Sequence, residues 1–446
     1  MNQRKAGCLP ALLVIVLVVF VALFVVWNLG YVDRWLYEAE LERAGDTPVE
    51  ASAGPTAGSA AGSQAAREAG SLGSSGSSGS SGSAAAGKAF GGAAGDAATE
   101  QQPYAYSQLD EEDQRKYRIV LSALVSREDK PYPTDSMDDL NRVFQCVQAD
   151  HPELFYVNGV SMETVTNKGS GLVERVTVRG RFSYTEEAAA LIEGQLKTAA
   201  SKCLEGMPAD ADDYGKAKYL YEWLATNVTY DHAAAAATAA AVAAGGADGA
   251  DEEVHNVAQT VEGALLQGRA VCGGYAGAFQ YLMQALGIQT AFVTGAGNGG
   301  SHAWCLVLLD GNYYYVDPTW ADPQSDGGGG ELGYVNYDYL NITTADLERT
   351  HGIGSSFPLP TCTATADNYY VREGLLFESA DGERLGTLAA DAFERGAQLQ
   401  VRCADEDVYR QVVSEYITSG RVGYYIPGGA YRYSVSDVNL SITLLP

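Results

Sequence analysis

The stretch Gly268-Arg269-Ala270-Val271-Cys272-Gly273-Gly274-Tyr275-Ala276 decides how this chain is read, together with Ser301-His302-Ala303-Trp304 and Tyr315-Val316-Asp317-Pro318-Thr319-Trp320 downstream. These segments supply a thiol, an imidazole and a carboxylate in the order Cys, His, Asp. A thiol needs a base beside it to act as a nucleophile, and the base needs a third group to hold its ring. Many such triples occur by chance in 446 residues. The local patterns around these three are what single them out.

Gly268 and Gly273-Gly274 bracket Cys272. Ala276, Phe279, Leu282, Met283 and Leu286 follow at helical spacing, with Gly287 as a stop. The pattern predicts a helix with Cys272 at or just before its N-terminus. There the free N–H groups and the helix dipole favour a thiolate and can bind a developing oxyanion. Taken alone, Cys272 fits a small core residue equally well. His302 to Leu309 and Tyr313 to Asp317 read as two apolar strands joined at Asp310-Gly311, a strong hairpin signal. With that loop, Leu309 pairs with Asn312, Trp304 with Asp317, and His302 with Thr319. Asp317 is then a diagonal neighbour of His302 on one face, about 7–8 Å away. Cys305 falls on the opposite face and reads as a buried thiol.

These motifs resemble the core of the transglutaminase-like superfamily, the papain-related Cys-His-Asp enzymes. Ala225-Thr226-Asn227-Val228-Thr229-Tyr230-Asp231 is similar to the strand that precedes the family's nucleophile helix. Tyr337-Asp338-Tyr339-Leu340-Asn341-Ile342-Thr343, ending near His351, is similar to the tail of the bacterial branch. The resemblance covers about residues 205–352. It implies an α+β core with a nucleophile helix packed on an antiparallel sheet, and catalytic roles for three residues. Cys272 is the implied nucleophile, His302 the base and acid, and Asp317 the residue that orients His302. One departure is an Ala-rich tract, His232 to Ala250, which reads as a helix and glycine-containing loop. A lid is one reading of it; a neutral surface insertion is the plainer one. No metal and no cofactor is expected, because the chain has no Cys-x-x-Cys, no His-Glu-x-x-His and no phosphate-cradling glycine loop.

The flanks set the context. Leu9 to Trp27 is an almost unbroken apolar stretch of 19 residues preceded by Arg4 and Lys5, close to the ~20 that a membrane-spanning helix needs. Bulky residues follow it where a signal peptidase would require small ones, so residues 1–30 read as an uncleaved signal anchor. Residues 31–100 read as a disordered tether rich in Ala, Gly and Ser. Residues 101–185 suggest a small α+β module and 186–358 the catalytic domain. Residues 359–446 suggest a small α/β accessory domain, with strands at Tyr369–Phe377, Leu399–Cys403 and Val422–Tyr425 and helices at Thr387–Arg395 and Val408–Ser419. Of seven cysteines, Cys362 and Cys403 form the favoured disulfide candidate because both fall in one predicted domain.

The net charge of −27 argues against nucleic-acid or anionic-membrane binding, which need a basic footprint. The expectation is a single-pass membrane protein whose catalytic part lies outside the cytoplasm. It would cleave amide or peptide bonds in a peptide or protein substrate, with cell-wall peptides among the candidates. Hydrolysis is favoured over amine transfer because water is always present. The rival from another class is a non-catalytic peptide- or glycan-binding module.

Overall fold

The computed structural model describes residues 102–243, 256–323 and 334–446. The expected anchor and tether lie outside the described residues. Among the described residues, no helix is long and apolar enough to cross a membrane.

The chain divides into two compact units. The first comprises Tyr106–Gln148 and Val157–Ser183. Its helices are α1 (Glu111–Ser126) and most of α2 (Met137–Asp150). Asp110 caps α1 by accepting from the Asp113 amide, and three acidic residues occupy the first turn, where the dipole favours them. The sheet places β3 (Val173–Phe182) between β1 (Lys130–Pro131) and β2 (Val157–Thr166). The largely buried Lys116 bridges Asp113 and Asp139 at 3.1 and 3.0 Å.

The second unit holds Ala149–Tyr156 and Tyr184–Pro446. Two helices lead in: α3 (Glu186–Leu204), capped by Thr185, and α4 (Asp213–Asn227), capped by Asp212. Ala217, Leu220, Tyr221 and Leu224 form the buried stripe of α4. A two-residue strand, β4 (Thr229–Tyr230), pairs in parallel with β5 (Arg269–Ala270). Between them the Ala-rich insertion forms α5 (His232–Ala243). β5 delivers the chain directly into α6 (Cys272–Ala285), buried from Gly273 to Met283.

Helix α6 packs on a four-stranded antiparallel sheet of order β8-β7-β6-β9. Its strands are β6 (Thr290–Gly297), β7 (Gly300–Leu309), β8 (Asn312–Val316) and β9 (His351–Ile353). The β7–β8 turn is the expected one. Asp310 and Gly311 take φ of 46° and 79°, as a tight hairpin loop requires, and the register runs from Leu309↔Asn312 to Cys305↔Val316. A second such turn, Asn298-Gly299 with φ of 50° and 78°, joins β6 to β7.

Past residue 358 the structure departs from expectation. Tyr369–Arg372 is a helical turn, not a strand, because the Asn368 side chain accepts the Tyr370 amide and starts a helix there. Only β10 (Leu376–Phe377) of that segment is extended. Arg421–Tyr424 is a 3₁₀ turn entered through Gly420 at φ 75°, not a strand. Helices α7 (Gly382–Glu394) and α8 (Glu406–Val412) pack on β11 (Leu399–Cys403). Two further strands, β12 (Arg432–Ser436) and β13 (Ser441–Leu445), complete a sheet of order β10-β11-β13-β12. Cys362 and Cys403 are free, buried thiols, so the proposed disulfide is corrected. Cys362 sits against the Pro360 carbonyl and Thr344, whereas Cys403 ends β11 beside Phe377.

Residues on both sides of the expected boundary at 358 share one core. Tyr337 stacks on Tyr369 with ring centroids 3.8 Å apart. The buried Asp338 accepts from Tyr370 Oη at 2.5 Å, Ser441 Oγ at 2.8 Å and Asn439 Nδ2 at 3.2 Å.

Candidate active site

Cys272 is the first residue of α6, with Val271 extended at the N-cap. The Gly274 and Tyr275 amides return to the Val271 carbonyl at 2.9 and 3.1 Å. The helix tip is wedged against the 3₁₀ turn Val257–Gln259. A Cβ on Gly273 would lie 2.5 Å from Gln259 Oε1, and one on Gly274 would lie 2.5 Å from the Ala258 carbonyl oxygen. That close approach is the physical reason for Gly-Gly after the cysteine. Cys272 is partly accessible, whereas the other cysteines among the described residues are buried.

His302 comes from the start of β7 and Asp317 from the first residue past β8, so the hairpin register sets their spacing. His302 Nε2 meets Asp317 Oδ2 at 2.8 Å. The Cys272 thiol lies beside the same imidazole and favours its charged form. With Nε2 committed to Asp317, Nδ1 is the nitrogen left for the thiol. The structure thus brings together all three residues that the sequence motifs single out.

Asp317 is wholly buried and its carboxylate is fully engaged. Oδ1 accepts from the backbone amides of Thr319 at 2.9 Å and Trp320 at 3.4 Å. Oδ2 accepts from His302 and from a residue that motif reading passed over, His351, whose Nε2 lies at 3.2 Å. In the sequence, His351 stands only near the end of a family-like tail. Nothing local in the sequence announces it, because pairing of β9 with the distal end of β6, Gly297↔His351, is what carries it to the site.

Burial works against charge on His302. The Asp317 carboxylate beside it, its bond to Asp317 and the neighbouring Cys272 outweigh that, and the imidazole is pushed up to about 10. Burial likewise opposes the Asp317 anion, but the two histidines hold its carboxyl well below the usual carboxylate range. A protonated imidazole and an ionised carboxylate are therefore the resting forms at neutral pH.

Aromatic rings wall the site. Trp320 stacks on His302 at 5.1 Å between centroids, and Trp304 lies at 5.9 Å from the same ring. Tyr230 is raised to about 12, first by burial and then by Cys272 and Asp317. Beyond Trp320 opens a cavity of about 440 Å³ whose lining includes Asn298, Asp322, Tyr339, Thr350 and Asn439.

His302, Asp317 and His351 are also a set that could ligate a metal ion. Two ligands sharing a tetrahedral zinc at about 2.0–2.2 Å would stand roughly 3.3 Å apart. The 2.8 Å separation of His302 and Asp317 is that of a direct charge-assisted hydrogen bond instead.

Residues 202–318 match the family model of the Transglutaminase-like superfamily. That segment holds Cys272, His302 and Asp317, in line with the resemblance carried by the motifs. No curated protein matches the sequence. Among solved structures, one titled as a TGase is similar at 17% identity and a TM-score of 0.25, covering 36% of this chain and 45% of that one. A candidate cysteine protease from Cytophaga hutchinsonii is similar at 13% identity and a TM-score of 0.22, covering 44% of this chain and 71% of that one. The chain thus spans less than half the length of the first. The family match therefore rests on residues 202–318, the segment that carries the three motifs.

Proposed function

We propose that the chain is a thiol enzyme that opens amide or peptide bonds through a thioester, with hydrolysis as its main outcome. The observation that carries this reading is a single one. A partly accessible thiol at a helix tip lies beside an imidazole whose Nε2 sits 2.8 Å from a buried carboxylate.

In this mechanism the Cys272 proton resides on His302, and the thiolate attacks the acyl carbonyl carbon. The electron pair moves onto oxygen, where N–H groups at the start of α6 are placed to receive the negative charge. Collapse of the tetrahedral intermediate expels the amine, which takes its proton from His302 and leaves a Cys272 thioester. His302 then removes a proton from water. Attack on the thioester releases the carboxylic acid and restores the thiol. Asp317 holds the ring and its charge throughout. An amine in place of water would give transfer instead. The polar cavity beyond Trp320, with Asp322 and no Lys or Arg among the described residues that line it, suits a neutral or amine-bearing portion of substrate.

The apolar Leu9–Trp27 stretch and the Ala/Gly/Ser tract support a further part of the proposal, a membrane tether that holds the enzyme outside the cytoplasm. The deciding experiment incubates the protein with candidate cell-wall peptides and, separately, with a glutamine-bearing protein and a fluorescent primary amine. New peptide termini with little amine incorporation are expected, and both activities should vanish in Cys272→Ala. Identical behaviour of wild type and Cys272→Ala would abandon the reading.

A further inference from the structure

We propose that His351 is a fourth, positioning member of the site, which holds Asp317 Oδ2 in place for His302. The inference rests on the Cys272–His302–Asp317 reading and extends it.

Four observations place His351 in that role. Its side chain is wholly buried, and Nε2 lies 3.2 Å from the same Asp317 oxygen that meets His302. An ionised carboxylate only accepts, so Nε2 must carry a hydrogen. Nδ1 is then an acceptor and takes the Thr350 hydroxyl hydrogen at 2.8 Å. The tautomer of His351 is therefore fixed by Asp317, and the Thr350 hydroxyl adapts to it by donating to the opposite nitrogen. The ring is also clamped by Trp320, Trp304 and Tyr339 at centroid distances of 4.3, 4.9 and 5.6 Å.

The backbone amides of Thr319 and Trp320 hold only Oδ1. Without His351, Oδ2 is steered by His302 alone, the group that it is meant to orient. His351 supplies an independent donor, so the direction of the Asp317–His302 bond no longer depends on the protonation of His302. It also satisfies the second lone pair of a carboxylate walled off from water, where an unmet acceptor is costly. β9 thus belongs to the site, although it is distant from the nucleophile in sequence.

The test uses the full chain and needs no substrate. Alkylation of Cys272 by iodoacetamide is followed against pH in wild type, His351→Leu, His351→Gln and Thr350→Val, with thermal unfolding of each as a folding control. His351→Leu should lower the Cys272 rate at pH 6 about tenfold, the scale of one lost hydrogen bond to a charged group. His351→Gln, which keeps a donor, should recover most of it. Thr350→Val should fall between wild type and His351→Leu. An unchanged or faster rate in a folded His351→Leu protein, or His351→Gln no better than His351→Leu, overturns the proposal. A wild-type Cys272 that labels no faster than Cys305 would instead overturn the underlying triad.

Discussion

At the residue scale, the site turns on which protons sit where. Asp317 pushes the His302 imidazole up to about 10 beside the Cys272 thiol at the tip of α6, so Cys272 should alkylate readily near pH 6. Cys305, wholly buried with Sγ on the Ala276 carbonyl at 3.2 Å and pushed far up by burial, should stay unmodified. Mass mapping of the labelled peptides checks this, and equal labelling of the two would contradict it. Asp317→Asn should keep the fold but lose a large part of the rate, up to about 10⁴-fold if the amide stabilises the wrong tautomer. A rate per folded molecule equal to wild type would show that Asp317 only anchors the turn at Pro318. The same pair links stability to pH. His302 has a raised folded value, so its contribution is complete below about 6.5, the unfolded value, and fades as pH climbs toward 10. Asp317 has a depressed one, so its contribution is present above about 3.9 and fades on acidification. The Tm difference between wild type and Asp317→Asn should therefore be largest from about pH 4 to 6.5 and shrink toward pH 10. A difference constant over that range would remove the pair from the stability account. Cys272, His302 and Asp317 were legible because each sits in a motif whose chemistry is local. His351 was not, because its role depends on a long-range strand pairing.

At the scale of elements, two hairpin turns and one helix tip do the positioning. Asp310-Gly311 could be read directly, and with it the β7–β8 register that aims His302 at Asp317. Asn298-Gly299 carries the same signal for β6–β7, a strand pair that the three motifs do not include on the β6 side. The Gly-Gly pair at the start of α6 yields a contrast. Gly274→Ala forces a methyl against the Ala258 carbonyl oxygen and the Ala270 side chain at 2.5 and 2.7 Å, both on packed structure. It should cost about 1–3 kcal/mol as overpacking and slow Cys272 alkylation by moving the tip. Gly287→Ala meets nothing within 4 Å, and its φ of 77° leaves only backbone strain. It should cost about 1–2 kcal/mol without touching the labelling rate. Chemical denaturation with parallel labelling separates the two. Gly274→Ala labelling as fast as Gly287→Ala would mean that the tip tolerates displacement.

At the scale of the whole chain, the described residues after 358 pack into the same core as those that they follow. Tyr369 stacks on Tyr337, Asn341 Nδ2 bonds the Asp367 carbonyl at 3.0 Å, and buried Asp338 draws its donors from Tyr370, Asn439 and Ser441. Removal of 359–446 would strand that carboxylate without donors and expose Tyr337 and Leu340, both core residues. The truncated chain should therefore fail to give a cooperative melting transition, as followed by circular dichroism. Cooperative melting of a chain ending at 358 would restore an independent accessory domain. Protease added to wall-stripped cells should cut within 51–98 and release a soluble fragment; complete protection of that fragment would reverse the proposed orientation.

By itself, the sequence determined what depends on neighbours a few residues apart. This includes the apolar face of α6, the Asp310-Gly311 turn and the three residues of the motifs. Helical spacing and turn glycines act over one turn of chain, so a linear reading captures them. Only the tertiary structure decided the rest. It packed Tyr369 against Tyr337 and so held as a helical turn, started by the Asn368 cap, a segment whose aromatic residues suggested a strand. It kept Cys362 and Cys403 apart in separate packing environments. It also set His351 beside Asp317 through β9 pairing, since a buried carboxylate gathers its donors from wherever in the chain they can reach it.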